Sequence, residues 1–270
     1  MNKLITIILL TTCFVSAKAQ TFTGIVKDAR TGETLPFVNV GIIGKGIGTV
    51  TDDKGHYAIN LSNHDADSIR FSMIGYAPKV ALISDFKQSG NRVDIALATS
   101  SKELKLVNIT NRKWKESVLG NTTKSQNTNA GFNSNALGHE IGAIIKIKRA
   151  PTRLKRFNAS ISVGAADSVK LRLNIYSVKD GLPDKNLLQQ NIYTTVRRGD
   201  KEVNIDLEPY NILVDDKFFV SLEWLQNTGG HGLMFSASLL SSAIITRETS
   251  QDKWEKVGIA GVGFNVLAEY

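Results

Sequence analysis

Apolar residues recur at every second position along most of this chain, in short runs broken by turn chemistry, which predicts strands rather than helices. Thr21 to Lys27 reads as a first strand. Phe37-Val38-Asn39-Val40-Gly41-Ile42 places Val38, Val40 and Ile42 on one face, and Tyr57, Ile59 and Leu61 repeat the spacing. Ser68 to Ile74, Lys79 to Ile83 and Arg92 to Leu97 add three more runs. Between them, Thr31-Gly32 marks a turn and Gly44, Gly46 and Gly48 loosen a connection. Asp52-Asp53-Lys54-Gly55 makes a tight turn in which Gly55 accommodates a positive φ. About seven strands within about 80 residues fit one small sandwich.

The pattern changes after residue 99. Thr99 to Leu104 is polar, Leu106 to Thr110 predicts a short strand, and Lys113 to Gly120 predicts a helical turn around Trp114. Asn121 to Asn135 is rich in Asn, Thr, Ser and Gly and reads as a surface loop or linker. Alternation then returns at Ile141 to Ile147, Phe157 to Val163, Val169 to Val178, Asn191 to Val196, Val203 to Leu207, Phe218 to Trp224, Leu233 to Leu240 and Val257 to Leu267. In Val169-Lys170-Leu171-Arg172-Leu173-Asn174-Ile175 the apolar positions predict a buried face and the charged positions a wet one. Leu182-Pro183-Asp184, Glu208-Pro209-Tyr210 and residues 227–232 carry turn signals. Eight or so strands without helical periodicity predict an all-β, jelly-roll-like antiparallel sandwich.

The first residues have another character. Asn2 and Lys3 precede an apolar run from Leu4 to Leu10, and Ala17-Lys18-Ala19 fits a signal-peptidase site before Gln20. The run is too short to span a bilayer, which takes roughly 20 residues. The expected division is a signal peptide over 1–19, a sandwich over 20–99, a connector over 100–135 and a second sandwich over 136–270. The one cysteine, Cys13, lies in the leader, preceded by Thr12 where a lipid-modified signal needs a small residue, so the exported chain forms no disulfide. Net charge is +8, and +6 once Lys3 and Lys18 leave with the leader. The basic residues are dispersed and lack interleaved stacking aromatics, which argues against a nucleic-acid partner and for charged strand edges.

Several short pieces occur in order in the first sandwich: Gly24-x-Val26-x-Asp28, Thr31-Gly32-Glu33, Leu35-Pro36-Phe37-Val38-Asn39-Val40, Gly48-Thr49-x-Thr51-Asp52-x-x-Gly55-x-Tyr57 and Ile74-Gly75-Tyr76. The set resembles the carboxypeptidase-regulatory-like family. That resemblance implies a seven-stranded transthyretin-like (prealbumin-like) sandwich of exported Gram-negative proteins, also found at the N-terminus of starch-utilisation-type TonB-dependent receptors. It implies no peptidase activity, because in the parent carboxypeptidases the module is an appendage to the zinc domain. The remainder of this chain is too short for the 22-stranded barrel of such receptors. Gly138-x-Glu140-Ile141-Gly142, Arg172-Leu173-Asn174-Ile175-Tyr176 and Phe219-Val220-Ser221-Leu222-Glu223-Trp224 resemble an uncharacterised region that follows the module in similar exported proteins.

Catalytic constellations are thin. His56, His64, His139 and His231 do not form a zinc ligand set; His64-Asp65-Ala66-Asp67 mimics the start of one, and His139-Glu140 lacks the second histidine of the helical pattern. No Gly-x-Ser-x-Gly elbow or phosphate loop occurs. A glycosidase carboxylate pair would draw on Glu140, Glu202 and Glu223, which the sequence alone cannot bring together. The expected function is therefore non-catalytic: a cell-envelope binding or scaffolding module without metal or cofactor, whose partner is an envelope protein or a glycan. The compartment expected is periplasm, outer membrane or cell surface. Carbohydrate binding by the second domain is the alternative, with Trp254, Tyr210 and Trp224 as candidate platforms, Trp224 sharing a core-facing strand side with Phe218, Val220 and Leu222. A small outer-membrane barrel over the second half is a further reading, drawn from its length and its terminal aromatic Tyr270.

Overall fold

A computed structural model describes residues 20–88, 90–100, 113–165, 167–226 and 232–270. The expected leader, the Leu106–Thr110 strand and His231 lie outside them. The first sandwich contains β1 (Thr21–Asp28), β2 (Asn39–Ile42), β3 (Ile47–Val50), β4 (His56–Asn60), β5 (Ser68–Ser72), β6 (Lys79–Leu82), the short helix α1 (Ile83–Gln88) and β7 (Ile95–Leu97). One sheet has the order β4-β1-β7 and the other β3-β2-β5-β6. Phe22, Val26, Tyr57 and Ile59 face Val40, Ile69 and Phe71 across the core. Ile83, read as a strand end, starts α1 instead. Its spacing to Phe86 puts both on one helical face, and both are buried in this core.

The second sandwich contains β8 (Glu116–Gly120), β9 (Asn129–Phe132), β10 (Glu140–Ile145), β11 (Thr152–Val163), β12 (Val169–Lys179), β13 (Leu182–Asn186), β14 (Ile192–Val196), β15 (Glu202–Asp206), β16 (Leu213–Val214), β17 (Phe218–Trp224), β18 (Leu233–Leu239), β19 (Ile244–Arg247), β20 (Glu255–Val257), β21 (Ala260–Val262) and β22 (Phe264–Glu269). One sheet runs β13-β12-β17-β10-β19-β20, with β14 also on β12. The other runs β21-β18-β11-β22-β8, with β15 and β16 on β11 and β9 on β18. Between them lie Phe157, Leu171, Leu173, Val220, Leu222, Trp224, Phe235 and Phe264, all buried. Among the described residues no helix is long and apolar enough to cross a membrane.

Several expectations are corrected. The helical turn at Lys113 to Gly120 is β8, paired with β22, and part of the expected linker is β9, paired with β18. These pieces are too short and polar to alternate visibly, and the sheet supplies the order. Leu182-Pro183-Asp184 opens β13 rather than a turn; β13 is an edge strand, where a proline's missing N–H costs no ladder bond. The single run from Val257 to Leu267 is three strands, broken at Gly258 and Gly263. The barrel reading gives way to a sandwich. There are two separate sheets with an apolar interior, the inverse of a membrane barrel's apolar outer band.

Candidate ligand site at the junction of the two sandwiches

The face of β12 expected to be wet is covered. Arg172 and Asn174 are each only 2% exposed, and every residue of β17 is buried on both sides of its sheet. Strand register explains the arrangement. Arg172 lies opposite Glu223, Glu223 opposite Glu140, and Glu140 opposite Arg247, so one row across four strands reads Arg, Glu, Glu, Arg. Arg172 Nη2 is 2.8 Å from Glu223 Oε2, and Arg247 Nη2 is 2.6 Å from Glu140 Oε2. Between the pairs, Asn174 Nδ2 donates to both carboxylates, at 3.0 Å to Glu140 and 2.8 Å to Glu223. Ser221 Oγ also donates to Glu140, and Tyr176 Oη reaches it at 3.4 Å. Burial pushes the Glu140 carboxyl up, against the pull of Arg247, and burial pushes the Tyr176 phenol well up. Burial is the largest influence on Arg172 and Arg247 and opposes their charge, but the neighbouring glutamates and tyrosines together outweigh it and raise both guanidinium groups.

What covers this face is the first sandwich. Arg172 Nη1 donates to the Phe37 carbonyl at 2.8 Å and Nη2 donates to Asn39 Oδ1. Nη1 also reaches Asn191 Oδ1 at 3.3 Å and Nε donates to Glu223 at 2.9 Å, so all five N–H groups of this arginine are engaged. Beside it, Phe37, Val50 and Leu225 form a small apolar cluster across the junction, and Phe37 meets Tyr193 edge-to-face at 5.4 Å. The loop between β19 and β20 completes the contact. Gly46 N donates to Asp252 Oδ1 at 2.9 Å, and Gln251 Nε2 donates to Ser72 Oγ at 2.8 Å. A Cβ at Gly48 would lie 2.1 Å from the Ser250 carbonyl oxygen, so this glycine is required by close backbone approach, not by a loose connection.

Beside this contact the two sandwiches leave a cleft of about 540 Å³. Its floor carries Arg172, Asn174, Tyr176 and Arg247, its first-domain wall Asn39, Met73 and Ile74, and its rim Arg70, Asp184, Lys185 and Asp252. Trp254 lines it too, half-buried, with the Arg247 guanidinium 4.7 Å over its ring and Tyr176 and Phe219 edge-on. Arg247 Nε is buried with no partner among the described residues. Of the other nominated platforms, Trp224 is 1% exposed in the core, against Phe132, and offers no open face. Tyr210 sits on a 3-10 turn packed against the second core, away from the cleft. Glu140 and Glu223 do come together, but fully buried beneath the cleft floor, whereas Glu202 is on β15 and pairs with Lys124. His139 is buried against Phe132, and burial pushes its imidazole below the usual histidine range, while His64 closes its own turn onto Asp67 at 2.7 Å. No group of three or more metal-ligating side chains occurs among the described residues. Reading residue types along the chain missed Arg172, Asn174 and Arg247; large aromatics at supposedly wet positions, Tyr176 and Phe219, were the available signal.

The signature residues of the first sandwich converge on its turns. Asp28 Oδ1 accepts the N–H groups of Arg30 at 2.7 Å and Thr31 at 2.9 Å, and Tyr76 Oη donates to Asp28 Oδ2 at 2.9 Å. Those bonds hold the Asp28 carboxyl below its usual range. Buried Thr51 Oγ1 accepts from Val38 N at 2.8 Å and donates to the Leu35 carbonyl at 2.9 Å. Residues 22–109 match the CarboxypepD_reg-like domain. In this CarboxypepD_reg-like domain Asp28, Thr51 and Tyr76 build turns and bridges, and Phe37 and Asn39 are among the residues that contact the second sandwich. No curated protein matches the chain. Among solved structures it is similar to the cysteine protease and lectin-like domains of Cwp84, a surface layer associated protein of Clostridium difficile (10% identity, TM-score 0.39, covering 83% of this chain and 45% of that one). It is also similar to a Bacteroides uniformis protein named as carbohydrate binding (11% identity, TM-score 0.23, covering 93% and 97%). The chain spans less than half the length of the first, and likenesses this distant carry nothing about what it binds.

Proposed function

We propose that this chain is a non-catalytic binding protein of the cell envelope, exported by the leader read over 1–19, with its ligand seated in the cleft between the two sandwiches. The observation that carries the binding reading is the cleft itself, walled by both domains over a floor whose polar groups are fixed by buried bonds, as recognition sites require. The non-catalytic reading draws support from the carboxylates. Glu140 and Glu223 are fully buried and each is paired with an arginine, so neither is free to meet a substrate.

Carbohydrate is the ligand class favoured by one further observation, the placement of Trp254 in the cleft wall beside planar amide and guanidinium groups. Two measurements test the proposal. N-terminal sequencing of protein recovered from the envelope fraction reads Gln20 if the leader is removed as proposed; an intact Met1 in a cytoplasmic pool overturns export. A ligand seated between the sandwiches stabilises the folded chain by about 2.7 kcal/mol at a hundredfold excess over Kd, read as a rise in its thermal midpoint. Stabilisation that persists unchanged when Trp254→Ala is introduced places the ligand elsewhere and defeats the cleft as the site.

A further inference from the structure

Resting on the cleft as the binding site, we infer that its ligand is a neutral oligosaccharide, read through hydroxyl groups and not through charge. The argument is one of charge balance. Two arginines in a cleft floor invite an anion, but here both are already answered from below. Arg172 has every N–H engaged, and Arg247 is bound at 2.6 Å to Glu140. Bringing in a further carboxylate or phosphate would set it against two buried glutamates with no unspent cation on the floor. The rim is balanced too, with Arg70 and Lys185 against Asp184 and Asp252. An anion finds no net field to hold it.

What the cleft does offer suits a hydroxyl, which both donates and accepts. Asn39, which lines the cleft, spends its Oδ1 on Arg172, so its amide N–H groups remain for another acceptor. Exposed Asp184 supplies an acceptor on the rim. Trp254 and the apolar Met73 and Ile74 provide surfaces for the C–H faces of a sugar ring.

The test is a glycan array of neutral oligosaccharides beside uronate-bearing, sialylated and sulfated ones, probed with the purified protein, followed by titration calorimetry of the best ligand at 50 and 500 mM NaCl. The inference expects neutral glycans to bind with affinity changing less than about twofold between the two salts. It expects Trp254→Ala to weaken binding at least about tenfold. Asp184→Ala, at an exposed position where the fold is not at stake, should do so several-fold. Selective binding of acidic glycans, salt-sensitive and lost in both variants, overturns the neutral class and keeps the cleft. Glycan binding indifferent to both variants overturns the cleft as well, and an array without any bound glycan overturns the inference.

Discussion

Replacing Arg172 with methionine is the sharpest probe of the junction. The side chain is 2% exposed and Glu223 beneath it is 0% exposed, so the change strands a buried carboxylate with only Asn174 to answer its charge. Breaking a buried pair from one side costs about 3–5 kcal/mol, a large share of the roughly 5–15 kcal/mol that holds an ordinary domain together. The same change removes the donors to the Phe37 carbonyl and Asn39, each worth about 1–3 kcal/mol if left unsatisfied. The double variant Arg172→Met, Glu223→Met removes the stranded charge but not the junction loss. It should therefore recover roughly half of the single variant's deficit, with a coupling energy of at least about 1 kcal/mol. Urea unfolding of the four proteins, followed by far-UV circular dichroism and tryptophan emission, measures this. A single variant within about 1 kcal/mol of the parent, or a double variant as unstable as the sum of the singles, would refute a dry, charged row beneath the junction.

Three further outcomes follow from the same contacts. Gly48→Ala drives a methyl into the Ser250 carbonyl, so it should part the sandwiches and expose the Gly44–Gly48 turn to limited proteolysis; an unchanged digestion pattern would count against the close approach. The depressed Asp28 carboxyl stabilises the fold fully above the unfolded carboxylate range, and that stability is lost as pH falls through its lower folded value. Asp28→Asn should accordingly flatten the acid limb of the stability curve below about pH 4, and an acid limb identical to the parent's would sink that account. A fragment spanning 136–270 lacks β8 and β9, and with β9 goes Phe132, which packs against His139, Trp224 and Phe235. It should show little cooperative unfolding, whereas 113–270 should unfold cooperatively; equal cooperativity in the two would show that β8 and β9 are dispensable.

The strands of the first sandwich were legible because each buries one face and leaves the other wet, so Tyr57, Ile59 and Leu61 announce themselves by spacing alone. The same rule misled at β12. Arg172 and Asn174 sit at the positions that alternation assigns to water, yet a second domain covers them, and period two reports a strand's own sheet without reporting what docks on it. Trp254, a candidate platform from its residue type, does line the cleft, half-buried beneath Arg247. The charge row itself was out of reach. Its four members come from four strands far apart in the chain, and only register across β12, β17, β10 and β19 sets them side by side.

The polarity of that row has a physical consequence that an apolar junction would lack. Methionines or leucines in place of the two arginine–glutamate pairs would spare the sheet the desolvation of four buried charges, since buried ion pairs seldom exceed well-packed apolar side chains in stability, but the donors to Phe37 and Asn39 would go with them. Apolar contacts, however, are indifferent to small sliding, whereas Arg172 binds Glu223, Phe37, Asn191 and Asn39 at once and so fixes the first sandwich at one position on the second. The cleft opens directly beside that fixed point and takes its walls from both sides of it. Its shape is thus set before a ligand arrives, which spares the ordering that a hinged pair of domains would have to supply on binding. The row of charges trades some stability for geometry, and the geometry it fixes is that of the candidate site.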